Sequence, residues 1–335
     1  MTTVLCTLYN SLYLDKGLVL YDSLCECAKD FKLYVLCMDD KCYEVLTDLN
    51  QKHHIPVRLA DFEAGDEALL KAKGNRSMGE YCWTCSSSFI RYVLNHYKED
   101  SCTYIDADMA FYNDPQILID EMMEAKKSVM VVPHRFPEDK KDLAKTVGTY
   151  CVEFNTFLNT AYGLEALEYW RNRCLECCSN LGDGIHWGDQ KYLDELVGNF
   201  NCVHVCKNLG AGIAPWNVCS YKVLEMRNEF LYRPANLQSK IFFYHYQSIV
   251  YINDHVVDVG LANTVDKTVC ERLYRPYLLK IMDKKKYLAI NYGIKEMIHS
   301  HPASHSRVKW LKESIFGHLL LYLRRRIQGR VMIKI

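Results

Sequence analysis

The chain has 335 residues, a length that holds one large domain or two ordinary ones, each with a full core. Hydrophobic residues at 49% and charged residues at 24% give the balance of a folded globular protein, which excludes a disordered chain. Lys and Arg, 41 together, cancel 41 Asp and Glu, so there is no overall basic field for nucleic acid. No apolar run reaches the roughly 18 residues that a spanning helix needs.

The first residues, MTTVLCTLYN, carry no basic flank and no small-residue cleavage site, so they predict a buried strand over 3–8 rather than a signal peptide. Helical spacing follows over 11–29, a second strand over 32–38, a helix over 42–52 and a third strand over 55–59. Residues 81–97 form an amphipathic pattern, followed by a strand over 102–105, a helix over 116–125 and a strand over 128–133. Such alternation predicts an α/β domain with a mainly parallel sheet covered on both faces. Beyond it, 138–146 is charged and predicts a loop, 152–158 a strand, 164–178 a helix, and 201–205 and 241–246 two late strands. From about residue 266 the chain turns helical and basic, which divides it into 1–265 and a C-terminal helical extension over 266–335.

Sixteen cysteines are scattered over apolar segments, as buried free thiols would be. The pairs Cys82/Cys85 and Cys174/Cys177 fall on helical patterns without a matching second pair, which argues against structural zinc. The segment SCTYIDADMAFYNDP is the most informative. An apolar strand runs into Asp106-Ala107-Asp108, and side chains two apart in extended backbone point the same way. Two carboxylates at the carboxyl edge of a sheet, where ligands of open α/β folds sit, suit a hard divalent cation and a diphosphate bound through it. The plain alternative is a turn of aspartates after a strand.

TYIDADMAFYNDP resembles the DxD signature of GT-A fold glycosyltransferases. FNTFL at 154–158 and HWGDQKYLDEL at 186–196 resemble, in order, further segments of the family 8 enzymes, and LGAGIAPWN at 209–217 followed by FFYHYQS at 242–248 resembles another in altered order. The likeness spans about 1–260 and is nearest to bacterial nucleotide-diphospho-sugar transferases of surface polysaccharide or lipopolysaccharide assembly. It implies a GT-A domain, a Mn²⁺ or Mg²⁺ cofactor, a nucleoside-diphosphate sugar (UDP favoured) as donor, and a glycan or lipid-linked acceptor. Asp106, Asp108 and His245 would hold the metal, with His204 the competitor for the third place; Asp106 would also touch the ribose. Tyr9 would pack on the base and Asn10 bond to it, with Asp39 and Asp40 as weaker nucleotide contacts. Asn155 would bond the donor sugar, and Asp189 and Gln190 would lie beside its reacting carbon. Gly210 and Gly212 offer close backbone approach to phosphate, and Trp216 a wall of the sugar site.

Two positions depart from family 8. Arg91 is displaced toward the DxD on its helix, and Ala214 replaces a lysine; Arg76, Lys73 or His134-Arg135 are candidates for the missing charge. At the far end, 301–335 holds eight Lys and Arg against Glu313 alone. Trp310, Leu311, Ile315, Phe316, Leu319, Leu320 and Leu323 recur at helical spacing before Arg324-Arg325-Arg326. An apolar face ending in a basic cluster predicts contact of 306–335 with an anionic membrane surface, and with the resemblance implies a cytoplasmic enzyme at the inner leaflet. The rivals are a non-catalytic sugar-nucleotide binding protein and a sugar-1-phosphate nucleotidyltransferase. The latter wants a glycine-rich basic loop after the first strand, which residues 8–14 lack. Retention and inversion at the anomeric carbon stay open, with Asp189 as general base in the inverting case.

Overall fold

The computed structural model describes residues 2–179, 181, 183–224, 229–253, 256–261, 264–295 and 322–334. Strands β1 (Thr3–Tyr9), β2 (Phe31–Cys37) and β3 (His54–Arg58) are parallel neighbours joined by the helices Leu14–Cys27 and Asp40–Leu49. β1 and β2 are nearly continuous apolar runs because both faces are covered. Val4, Cys6, Tyr34 and Leu36 enter one core, while Leu5, Leu33, Val35 and Cys37 enter the other. A capping box starts the helix Met78–His96: Ser77 accepts from the Glu80 amide, and the Glu80 carboxylate accepts from the Ser77 amide at 2.9 Å. That helix returns the chain to β4 (Ser101–Ile105), parallel to β1.

Past β4 come β5 (Met109–Phe111), β6 (Val129–Pro133), β7 (Tyr150–Leu158) and β8 (Val203–Val205). The main sheet has the order β3-β2-β1-β4-β7-β6-β8, with β7 antiparallel to both neighbours and the remaining pairs parallel. Between β6 and β7 the expected charged loop holds a 3-10 turn, Glu138–Lys140, and a short helix, Leu143–Val147. β9 (Tyr221–Val223), β10 (Glu229–Tyr232) and β11 (Leu237–Lys240) form an antiparallel meander. β12 (Phe243–His245) then pairs antiparallel with β5, far from it in sequence.

A third core lies under the last third of the chain, where Tyr244, Tyr246, Tyr274 and Tyr277 cluster beside the helix Arg275–Tyr292. Here β13 (Val250–Asn253), β14 (Val256–Leu261) and β15 (Arg330–Lys334) make a small antiparallel sheet, so the end of the extension returns as a strand. The fully buried Asp258 pairs with both Arg325 and Arg330. The middle arginine of the basic cluster is therefore turned onto the fold. Trp310, Leu311, Ile315, Phe316, Leu319 and Leu320, the apolar face expected at a membrane, lie outside the described residues. No helix among the described residues is long and apolar enough to cross a membrane. All sixteen cysteines are free, as their scatter predicts.

Candidate active site

β4 carries the chain to the sheet's carboxyl edge and releases it at Asp106-Ala107-Asp108, from which β5 departs. The β5–β12 pairing sets His245 opposite Met109, and the Tyr246 amide donates to the Asp108 carbonyl at 2.8 Å. Strand pairing thus brings the late histidine to the aspartates. His245 Nε2 lies 3.0 Å from Asp108 Oδ1 and 3.6 Å from Asp106 Oδ2, and its Nδ1 lies 2.9 Å from Glu153 Oε2 on β7. His204, the competing imidazole, is committed elsewhere, with Nε2 at 2.7 Å from Glu121.

Electrostatics follow from crowding acids around one base. Burial pushes the Asp106 carboxyl up to about 8; His245 opposes this, while Asp108, Asp189 and Glu153 reinforce it. Burial also acts to raise Asp108, but His245, with help from Lys16 and a backbone hydrogen bond, holds that carboxyl below its usual range. Burial works against a charged His245, yet Asp108, Cys151 and Glu153 together hold its pKa well above the ordinary histidine value. Cys151 stays a neutral thiol, since burial and Glu153 push it well up. Oxygen donors on Asp106 and Asp108 and one imidazole nitrogen lie within 4.8 Å of one another and could hold a hard or borderline divalent ion. The excess of carboxyl groups over cations there fits such an ion.

These groups open onto a cavity of about 830 Å³, within the range of small-molecule sites. Asn10, Tyr13 and Gln247 line it with the metal-ligand candidates, and Met78, Trp83, Leu143 and Trp187 line it with Asp189 and Gln190. No Lys or Arg lines it among the described residues. Asp189 is 5% exposed, and its carboxylate accepts from Ser86 Oγ at 2.5 Å. Burial pushes its pKa up to about 7, with the Ser86 bond opposing. Gln190 donates from Nε2 to the Val147 carbonyl at 2.7 Å, fastening the short helix Leu143–Val147 to the site. Trp216 forms a wall: its Nε1 donates to the His134 carbonyl at 3.1 Å, and its ring meets His245 edge-on at 5.5 Å.

Several sequence expectations need correction. Tyr9 borders the cavity, but its ring is buried and its hydroxyl sits 3.2 Å from His54 Nε2, so it is not free to stack on a base. Asn10 does border the cavity, although its Oδ1 caps the following turn at the Leu12 amide. Asp39 does not line the cavity; it caps the helix Asp40–Leu49 and accepts from the Ser11 amide and hydroxyl. Asp40 points outward toward Arg58 at 3.4 Å. Asn155 is fully buried on β7, with Nδ2 at 3.4 Å from the Cys151 carbonyl, and does not line the cavity.

The two glycines serve chain packing rather than phosphate. A Cβ on Gly210 would stand 1.8 Å from the Lys240 carbonyl oxygen. Gly212 adopts φ +79° with Val132 and Glu153 against it. The charge candidates are also committed: Lys73 to Glu63, Arg76 to Thr84 and the Leu175 carbonyl, and Arg91 to Glu168. Arg135 donates to the carbonyls of Ala211, Cys206 and Asn208. His134 lines the cavity, but burial lowers its pKa and keeps it neutral.

Sequence reasoning missed Glu153, Ser86, Tyr13, Trp83 and Trp187. Glu153 carried a visible signal, as the one acid in the buried strand YCVEFNTFL. For the others, helical or loop position did not say which way the side chain faces.

No family model matches the sequence. The structure aligns with the galactosyltransferase LgtC, solved in complex with donor and acceptor sugar analogues, at a TM-score of 0.52 and 11% identity over 84% of this chain and 96% of that one. Mouse xyloside xylosyltransferase 1 aligns at 0.48 with 12% identity, over 74% and 98%. The fold is that of the GT-A glycosyltransferases, resembling family 8. By sequence the chain is 30% identical to YfnD of Bacillus subtilis strain 168 over 279 residues, 82% of this chain and 87% of the relative. It is also 30% identical to YfnF of the same strain over 295 residues, 86% and 95%. The chain belongs to the family of these two proteins, both described as uncharacterized.

Proposed function

We propose that the protein is a metal-dependent glycosyltransferase of the hexosyltransferase type, moving a sugar from a nucleoside-diphosphate sugar to an acceptor hydroxyl. The observation that carries this reading is the lining of the cavity: Asp106 and Asp108 border it beside His245, with Glu153 buried behind the imidazole, and no Lys or Arg lines the walls among the described residues. A diphosphate there needs a cation that the side chains do not supply. Mn²⁺ or Mg²⁺ held by Asp106, Asp108 and His245 would neutralise the charge developing on the departing diphosphate.

The chain's own residues do the rest. Asn10 and Tyr13, in the loop after β1, border the place for base and ribose. Trp216 walls the sugar beside His245. Asp189, held by Ser86, and Gln190 face the sugar and orient it. Trp83, Trp187 and Met78 offer flat and apolar surface to the acceptor. On the motif resemblance we favour a UDP-sugar, a glycan or lipid-linked acceptor, surface polysaccharide or lipopolysaccharide assembly, and a cytoplasmic site of action with membrane contact through 306–335. Retention makes Asp189 and Gln190 positioning groups only. One observation favours inversion: a carboxyl poised at about 7 suits a general base at neutral pH. The anomeric form of the product decides between them.

Thermal unfolding with a panel of nucleotide sugars tests the donor reading. A cognate donor at about 100 times its Kd stabilises by about 2.7 kcal/mol. The expected result is a raised Tm for a UDP-sugar only when Mn²⁺ is present, and no rise in Asp108→Ala. Equal rises without metal and in the variant would contradict it.

A further inference from the structure

We propose that Glu153 is a positioning residue for the metal site, holding His245 through its Nδ1 proton so that Nε2 faces Asp106 and Asp108. This rests on the metal-dependent reading above and deepens it.

Glu153 is fully buried in a strand whose other buried positions are apolar, Asn or Thr. Removing a carboxyl group from water costs several kcal/mol unless partners compensate. Here compensation is partial: Oε2 meets His245 Nδ1 at 2.9 Å, while Oε1 has no hydrogen-bond partner among the described residues. Arg135, which approaches the same glycine, gives its guanidinium to three carbonyls instead. The fold also keeps room for the group. Gly212 stands at φ +79°, where a Cβ would fall 2.9 Å from Glu153 Oε1 and 2.7 Å from Val132 Cγ1. A side chain placed only for stability would be better replaced by an apolar one.

What Glu153 does is choose between the two ring nitrogens. A neutral imidazole has one N–H and one lone pair. With Nδ1–H donating to Glu153, the lone pair belongs to Nε2, which faces Asp108 at 3.0 Å and Asp106 at 3.6 Å. The ring's orientation is then set before an ion arrives, and the ion takes the place of the proton on Nε2. Partners of this kind, removed from other metal sites, typically cost 10–100-fold in metal affinity.

The test titrates Mn²⁺ alone into wild type, Glu153→Gln and Glu153→Ala, reading free Mn²⁺ by electron paramagnetic resonance. Expected losses are roughly tenfold for Gln, whose amide oxygen still accepts from Nδ1, and up to roughly a hundredfold for Ala. Long-range ¹H–¹⁵N spectra of the Mg²⁺-loaded proteins should show the His245 Nδ1 proton hydrogen-bonded in wild type and released from that bond in Glu153→Ala. If the alanine variant does not fold, the glutamine variant decides. Wild-type binding of Mn²⁺ with both variants within twofold overturns the role of Glu153 and leaves the proposed function standing. Failure of wild type to bind Mn²⁺ or Mg²⁺ overturns both.

Discussion

Replacing Asp189 with Asn should stabilise the protein at neutral pH, and in an inverting enzyme it should also abolish transfer. The Asp189 carboxyl moves from an ordinary 3.8 to about 7 in the folded state, chiefly through burial. Because the folded pKa is raised, the folded state binds the extra proton between those values, and stability falls as pH rises through that window. That displacement corresponds to about 4 kcal/mol, nil below pH 4 and fully developed above pH 7. Asn keeps an oxygen to accept from Ser86 and carries no charge, so it escapes this cost. Between pH 5 and pH 8 the stability of the variant relative to wild type should therefore increase by about 2–3 kcal/mol. At roughly 2 °C per kcal/mol, that is a divergence of about 5 °C in Tm. Thermal or urea unfolding of the two proteins in parallel across that range measures it. A Tm difference independent of pH would refute the assignment of a charge-burial cost to Asp189.

The other predictions separate chemistry from architecture. Asp39→Ala should lose about 1 kcal/mol through the missing helix cap and leave donor affinity unchanged, as unfolding and donor titration would show. Gly210→Ala should destabilise by about 1–3 kcal/mol because its Cβ meets the Lys240 carbonyl, again without a change in donor affinity at equal folded fraction. Trp83→Ala should lower kcat/KM for the acceptor by about fivefold while donor binding persists, since it removes about 1 kcal/mol of aromatic contact at the rim of the cavity. Initial rates at saturating donor would check it.

The DxD edge was legible because it needs only local rules: an apolar strand, an abrupt pair of acids, and the two-residue alternation of extended backbone. Strand and helix alternation through residue 133 likewise follows from local periodicity, and the observed bounds of β1 and β2 agree within a residue or two. Choosing His245 over His204 needed topology, since only the pairing of β12 with β5 brings one to Asp108, while Glu121 claims the other. Gly210 and Gly212 misled because small residues admit a crossing strand or a buried carboxyl as readily as a phosphate. Asp39 misled because an acid at the end of a strand is also the start of the next helix. The sheet β13-β14-β15 was missed because its last strand joins from far along the chain, and such pairing leaves no mark in either segment alone.

The central claim is that Asp106, Asp108 and His245 hold a divalent ion on which sugar transfer depends. Release of nucleoside diphosphate from a nucleotide sugar, followed with Mn²⁺, after chelation, and in Asp108→Ala, tests it most directly. Turnover with Mn²⁺ that disappears under both treatments is the predicted result. Undiminished release in the chelated enzyme and in the variant would contradict it.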